Sequence, residues 1–233
     1  MQVILFDLDG TLLPMDMDTF IKGYFGLLAK KAEKYGYESE AVVKGTWKGT
    51  YAMVQNDGSM TNKERFWKTF AEIFGEKVYD DIPIFDAFYE NEFNEAAAFA
   101  NPDPEKAQEA VKKAREHADK VILATNPLFP RGGVETRLKW LGLSINDFDY
   151  VTTYENSRYC KPNPKYYQEL CEIHHLVPEQ CLMIGNDVEE DVLAAEAAGI
   201  QSFLVTDCLL THDREMPDTH KGTFDEMLEY LER

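Results

Sequence analysis

Cysteine is scarce in this sequence, and the few cysteines are widely separated. They are Cys160, Cys171, Cys181 and Cys208, and no two of them form a Cys-x-x-Cys pair. This spacing argues against a structural zinc site and against a disulfide framework, so we expect reduced thiols and a cytoplasmic location. No apolar run approaches the roughly 18 residues of a membrane-spanning helix, and no basic leader opens the sequence. We therefore predict neither a secretion signal nor a membrane anchor.

Positive charge is also in short supply. The 233 residues include 24 Lys and Arg against 42 Asp and Glu, a formal net charge of −18. Such an excess repels phosphodiester backbones and anionic lipid, so we expect neither nucleic acid nor a membrane surface as a partner. An anionic substrate would need a local cation. With 44% hydrophobic residues, the composition predicts a globular chain with one large domain, or one domain carrying an insertion.

Predicted strands and helices alternate along most of the sequence. Short β-rich apolar runs are predicted as strands, and stretches with a helical apolar period are predicted as helices. The strands are expected at 3–6, 121–124, 150–152, 181–184 and 202–205, and the helices at about 105–120, 132–141, 164–174, 189–198 and 223–231. This alternation predicts an α/β fold with a doubly wound, Rossmann-like parallel sheet.

One segment, residues 15–100, breaks the alternation. It is rich in aromatic residues and helical in period, and it contains no convincing buried strand. We predict an inserted α-helical domain over 15–100, with the α/β core formed by 1–14 and 101–233. Its helices are expected at about 18–35, 39–55, 61–74 and 84–93, with a break at Pro83. Its aromatic side chains are expected mainly to pack its own core.

Polar residues follow the predicted strands. They are Asp7, Asp9 and Thr11 after the first strand, Thr125 and Asn126 after the second, Lys161 in the connection after the third, and Asn186, Asp187 and Asp191 after the fourth. Ligand sites in open parallel sheets lie beyond the carboxyl ends of the strands, so we expect these residues to converge.

The converging carboxylates would need positive charge nearby. Two like charges 4 Å apart repel by about 4 kcal/mol at an effective dielectric near 20, which makes a bare cluster of Asp7, Asp9 and Asp187 unstable. A hard divalent cation held by oxygen atoms relieves this repulsion, and Mg²⁺ suits a site with few carboxylates and open positions. Together with Lys161 and Thr125, such a site would receive a phosphoryl group.

The order and spacing of these residues resemble the haloacid dehalogenase-like superfamily, whose first motif reads DxDxT, here Asp7-Leu8-Asp9-Gly10-Thr11. The resemblance implies the phosphatase branch with a helical cap between the first and second motifs. It implies that Asp7 is the nucleophile and forms an aspartyl-phosphate, and that Asp9 is the general acid and then the general base. It also implies that Thr125, Asn126 and Lys161 bind the phosphoryl oxygens, with Lys161 neutralising charge during transfer.

The metal site implied by the resemblance holds Mg²⁺ through Asp7, the main-chain carbonyl of Asp9 and the loop after the fourth strand. Many family members place an acid directly after the glycine of that loop. This chain has Asn186 there, with the carboxylate one residue later at Asp187. Both are candidate ligands, and we favour Asp187 because a carboxylate compensates a divalent charge better than an amide does. Thr11 and Asp191 are expected to support the site.

Asp9 separates the chemistries found within the superfamily. An alkoxide leaving group needs a proton and a halide does not, so Asp9 favours a phosphatase or phosphomutase over a dehalogenase. The sequence thus predicts Mg²⁺-dependent hydrolysis of a small phosphomonoester. A phosphomutase of the β-phosphoglucomutase type stays open, as does a non-catalytic member that binds a metabolite. A phosphate-accepting signalling receiver fits poorly, because receivers lack a large insertion.

Overall fold

A parallel six-stranded sheet forms the centre of the chain in a computed structural model that describes residues 3–232. In chain order the strands are β1 (Val3–Phe6), β2 (Lys120–Leu123), β3 (Tyr150–Val151), β4 (Cys181–Gly185), β5 (Gln201–Val205) and β6 (His220–Gly222). They lie in the spatial order β3-β2-β1-β4-β5-β6. The doubly wound α/β fold predicted from the sequence is confirmed.

Helices cover the sheet and fill the segment between β1 and β2. The α-helices are α1 (Met17–Glu33), α2 (Ser39–Val54), α3 (Asn62–Phe74), α4 (Val78–Glu90), α5 (Pro104–His117), α6 (Arg131–Trp140), α7 (Lys165–His174), α8 (Ala194–Ala197) and α9 (Phe224–Tyr230). Short 3-10 helices span Glu92–Phe99, Ile145–Asp147 and Pro178–Gln180, and a π-helix spans Val188–Leu193. Within residues 3–232, no helix is long and apolar enough to cross a membrane.

Strand β1 is buried on both faces of the sheet. Ile4 and Phe6 pack into one hydrophobic cluster, and Val3 and Leu5 pack into another on the opposite face. Alternate residues of a strand point to opposite faces, so an entirely apolar strand is what a sheet covered on both sides requires. The central position of β1 between β2 and β4 brings the residues after all three strands to one edge.

Residues 17–99 contain α1 to α4 and a 3-10 helix, and no strand. This helical segment leaves the sheet after β1 and returns before α5. Its two ends meet, because the amide of Asn101 donates to the carbonyl of Pro14 at 2.8 Å. The segment therefore leaves and re-enters the sheet at neighbouring points.

The structure differs from the predicted elements in three places. Pro83 does not break a helix but lies inside α4, which buries Val78 before the proline and Phe85 after it. The helix expected at 189–198 is a π-helix followed by the short α8. Strand β6 was not predicted, because its His220–Gly222 sequence is polar and mostly exposed and it pairs only along the sheet edge.

Candidate active site

The turn after β1 carries Asp7 and brings the chain back against the loop after β4. The amide of Asp7 donates to the carbonyl of Ile184 at 2.9 Å, which continues the sheet ladder by one residue. Gly10 has φ +88°, and a Cβ there would lie 2.4 Å from the Asn186 amide nitrogen. Only glycine combines this backbone conformation with so close an approach. The turn lets the Thr11 hydroxyl donate to Asn186 Oδ1 at 3.0 Å.

Lys161 is fully buried between two carboxylates. Its Nζ donates to Asp7 Oδ1 at 2.9 Å and to Asp191 Oδ1 at 2.6 Å. Burial alone would lower the pKa of Lys161, but attraction to Asp191 and Asp7 outweighs it and raises that pKa well above its usual value. The lysine is therefore a fixed positive charge. Burial raises the pKa of Asp7, and Lys161 opposes that rise.

Arg137 on α6 is a second buried cation, and it was not among the residues predicted for the site. Its side chain is 0% exposed, and its Nη1 pairs with Asp9 Oδ2. Its Nε donates to the carbonyl of Gly133 at 3.1 Å, and its guanidinium lies 4.1 Å from the centre of the Phe129 ring. The sequence does contain a signal for this burial. Arg137 comes three residues after Val134 and therefore lies on the apolar face of the helix predicted over 132–141.

Two buried polar atoms of this ion pair have no partner. Asp9 Oδ1 and Arg137 Nη2 make no hydrogen bond with residues 3–232. Buried polar atoms without a partner are uncommon and call for an explanation such as a bound ion, a water or a reacting group.

Thr125 presents a hydroxyl to the site from a rigid position. Its main-chain carbonyl accepts hydrogen bonds from the hydroxyls of Thr152 at 2.7 Å and Tyr166 at 3.1 Å. The Thr125 hydroxyl itself makes no hydrogen bond with the described residues, and Thr125 is buried while lining the cavity described below. Its side chain can thus donate to a ligand.

Asn126 is tied to neighbouring residues. Its Nδ2 donates to Glu190 Oε2 at 2.8 Å and to the carbonyl of Lys161 at 3.3 Å. Burial, helped by repulsion from Asp187, raises the pKa of Glu190 to about 7. In this arrangement the Asn126 amide group connects the loops after β2, β3 and β4.

Asp187 caps the π-helix. Its Oδ1 accepts from the amides of Glu189 at 2.8 Å and Glu190 at 2.9 Å, and its Oδ2 lies 2.6 Å from His212 Nε2. The hydrogen bond to Asp187 raises the pKa of His212. The neighbouring Asn186 donates its amide group to the carbonyl of Cys208 at 2.7 Å.

The charges around this edge leave an excess of carboxylate. Asp7, Asp9, Asp187, Glu190 and Asp191 all line one cavity. Among the lysines and arginines of residues 3–232, Lys161 and Arg137 form ion pairs with these carboxylates. In residues 3–232 no three His, Cys, Asp or Glu side chains converge as a complete metal cluster. A divalent cation fits the excess negative charge, but its ligands would have to include water, main-chain carbonyl or amide oxygens, as Mg²⁺ accepts.

The cavity has a volume of about 290 Å³ and lies between the carboxyl ends of the strands and the helical segment. Its acidic end contains Asp7, Asp9 and Thr125. The opposite walls come largely from aromatic side chains of α1 to α4, among them Phe20, Tyr24, Phe66 and Trp67. More of the segment's aromatic residues face this cavity than their sequence pattern predicts.

Comparisons with known proteins agree with this architecture. A family model described as haloacid dehalogenase-like hydrolase matches residues 1–199. The chain is 26% identical over 193 residues to Haloacid dehalogenase-like hydrolase domain-containing protein 3 of Bos taurus, covering 76% of this chain and 72% of that protein. It is 26% identical over 205 residues to Phosphoglycolate phosphatase of Colwellia psychrerythraea, covering 88% and 84%.

A solved structure has the same fold. The HAD phosphatase from Thermococcus onnurineus superposes with a TM-score of 0.59 at 19% identity, covering 99% of this chain and 98% of that one. At this identity the likeness concerns the fold alone. The family match spans the strands and loops that carry the converging residues, so this chain belongs to the haloacid dehalogenase-like hydrolases.

Proposed function

We propose that this hydrolase is a Mg²⁺-dependent phosphatase acting on a small phosphomonoester. The observation that carries the proposal is the convergence of Asp7, Asp9 and Thr125 at one end of a cavity, with the buried Lys161 hydrogen-bonded to Asp7. Relatives named as phosphatases, including the Colwellia phosphoglycolate phosphatase, support the same reaction class. A cytoplasmic location remains a prediction.

In the first step, an Asp7 carboxylate oxygen attacks phosphorus, and the bond between phosphorus and the ester oxygen breaks. Asp7 has one oxygen held by Lys161 Nζ at 2.9 Å, which fixes the carboxylate and leaves the other oxygen to react. Asp9 enters this step with a proton on Oδ1, while Oδ2 stays paired with Arg137, and it gives that proton to the departing alkoxide. Its Oδ1 has no partner among residues 3–232, so we assign the transferred proton to that atom.

In the second step, Asp9 Oδ1 takes a proton from a water molecule, and the oxygen of that water attacks the phosphorus of the aspartyl-phosphate. Inorganic phosphate leaves and the Asp7 carboxylate is restored. The Thr125 hydroxyl donates to a phosphoryl oxygen in both steps, and Lys161 offsets negative charge on the transferring group.

The metal would be held by Asp7, the main-chain carbonyl of Asp9 and one of the side chains at 186 and 187. When bound, Mg²⁺ would neutralise charge on the phosphoryl group. Asp187 and Asn186 both line the cavity, and each now makes hydrogen bonds that a metal would have to replace. We keep Asp187 as the favoured ligand on grounds of charge.

We further propose that the helical segment, residues 15–100, acts as a cap. It supplies most of the apolar wall of the cavity, while the loops after the strands supply the reacting groups. Such an arrangement excludes water during transfer to Asp7 and selects the substrate.

The test is hydrolysis of p-nitrophenyl phosphate with Mg²⁺ and with EDTA, by the wild type and by Asp7→Asn. We expect metal-dependent phosphate release that EDTA abolishes and that the variant lacks, with the variant's unfolding transition still cooperative. Full activity of folded Asp7→Asn would remove the proposed nucleophile. Metal-independent activity would remove the proposed role of Mg²⁺.

A further inference from the structure

The cavity wall opposite the acidic end is apolar and aromatic. Side chains from α1, α2, α3 and α4 contribute to it, including Phe20, Phe66, Phe70 and Phe85. These rings contact one another: the ring centroids of Phe66 and Phe70 lie 5.5 Å apart, and those of Phe70 and Phe85 lie 5.6 Å apart. The wall is therefore a packed surface whose rings hold one another in place.

The cavity contains no basic side chain apart from the partly exposed His212 next to Asp187. Among the described residues that line it, none is lysine or arginine, and every carboxylate lies at the end that holds Asp7. Two basic residues of the helical segment, Lys31 and Arg65, form ion pairs with other residues of that segment. Lys31 binds Glu92 at 2.8 Å, and Arg65 binds Asp57 at 3.1 Å. A second negative charge on a substrate would meet no lysine or arginine among the residues that line the aromatic end. The nearby Arg137 is 0% exposed and is paired with Asp9.

Polar atoms in the aromatic wall are largely engaged with one another. The hydroxyls of Tyr24 and Tyr89 lie 2.7 Å apart, and Trp67 Nε1 donates to the Tyr154 hydroxyl at 3.2 Å. The Thr46 hydroxyl donates to a main-chain carbonyl of its own helix at 2.9 Å. A sugar with many hydroxyls would have to be desolvated against a wall with few free partners, which is unfavourable.

From this wall and from the proposed phosphatase chemistry, on which the inference rests, we infer that the substrate is the phosphomonoester of an uncharged, apolar alcohol. An apolar cavity of about 150 Å³ is large enough to bind benzene. At about 290 Å³, this cavity has room for a phosphoryl group and one ring or a branched chain of similar size. Monoesters with a second phosphate or a carboxylate are selected against.

The first experiment measures binding without turnover. With Mg²⁺ present, 2-phenylethylphosphonate and 2-carboxyethylphosphonate are each titrated into the full chain, and tryptophan fluorescence and calorimetry report binding. Trp47 and Trp67 line the cavity, so an occupant should change their emission. We expect the phenyl compound to bind at least about 30-fold more tightly, because burial of an aromatic side group contributes that much.

A pair of substitutions on α2 tests whether the phenyl compound is preferred because the cavity lining has no lysine or arginine. Thr50 lines the cavity, whereas the next residue, Tyr51, is 67% exposed and does not. Thr50→Lys should tighten binding of the carboxyl compound by at least about tenfold, because it supplies a partner charge in a partly buried position. Tyr51→Lys adds the same charge outside the cavity and should leave both affinities unchanged. Thermal unfolding checks that both variants fold.

Turnover separates this inference from the proposed function. The matched esters are 2-phenylethyl phosphate and 2-carboxyethyl phosphate. Hydrolysis of the phenyl ester at higher kcat/KM supports both ideas. Hydrolysis that favours the carboxyl ester, or equal or tighter binding of the carboxyl phosphonate, would overturn the inference and leave the phosphatase intact. Selective binding of the phenyl phosphonate with no hydrolysis of any monoester would overturn the proposed phosphatase activity and leave the apolar site supported. Binding of neither phosphonate would overturn the inference.

Discussion

Removing Arg137 should destabilise the whole protein, because the arginine is the buried counterion of Asp9. The Arg137 side chain is 0% exposed and that of Asp9 is 17% exposed. In Arg137→Met the Asp9 carboxylate would lose its cation while remaining mostly shielded from water. In Asp9→Asn the guanidinium would stay fully buried without a carboxylate. The double variant Asp9→Asn/Arg137→Met removes both charges, so that no buried charge remains without its partner.

The magnitudes follow from these contacts. Removing one partner of a buried ion pair destabilises a protein by about 3–5 kcal/mol. Arg137→Met also loses a hydrogen bond to Gly133, about 1 kcal/mol, and a cation–π contact with Phe129, about 1 kcal/mol. Two effects offset part of this loss. The variant no longer buries a guanidinium, and the Asp9 carboxylate is partly exposed to water. We expect a decrease of about 3 kcal/mol in the free energy of unfolding for each single variant.

The double-mutant cycle is the decisive measurement. Urea unfolding followed by circular dichroism gives the free energy of unfolding of the wild type, both single variants and Asp9→Asn/Arg137→Met. We expect the double variant to be at least about 2 kcal/mol more stable than the sum of the single losses predicts. Additive losses, within about 0.5 kcal/mol, would refute the reasoning. Arg131→Met is the control, because that arginine begins the same helix with a side chain that is 63% exposed.

Two further predictions concern the buried lysine and the first helix. Lys161→Met should lower the free energy of unfolding by about 3–5 kcal/mol, because it leaves two buried carboxylates without their cation. Urea unfolding beside the exposed Lys139→Met checks this, and equal losses in the two would contradict it. In α1, Gly26→Ala should stabilise by about 0.5–1 kcal/mol because a Cβ there meets nothing within 4 Å. Gly23→Ala should destabilise, since its Cβ would lie 2.1 Å from the Phe99 ring, and the same sign in both variants would argue against these packing contacts.

The sequence predicted the sheet well because its central strands are continuous apolar runs. Such runs have few alternatives to a strand buried on both faces, so β1, β2, β4 and β5 were found to within about one residue. Polar residues directly after those strands could then be placed together by topology alone. Strand β6 lacked that signal, since its pairing with β5 depends on the edge of an already formed sheet.

The details of the site depend on tertiary packing and were less accessible. Arg137 is brought to Asp9 only by the way α6 lies against the sheet. The pattern of the aromatic residues in the helical segment predicts burial, but it does not distinguish a closed core from the wall of a cavity. Pro83 shows the same limit, because the buried Val78 and Phe85 stabilise α4 across a residue that disfavours helix.

The hydrogen bond from Asn101 to Pro14 has a consequence for how this protein could diversify. Because the helical segment starts and ends at adjacent points, a segment of another length or shape could be spliced between them without shifting β1 against β2 or β4. Closing a longer loop at such a junction adds only about 0.6 kcal/mol for each doubling of its length. A short turn could replace the helical segment at the same junction. The carboxylates at the ends of the strands would then be exposed to solvent. Recombination at this junction would change the cavity wall that the helical segment supplies and would leave the residues after the strands in place.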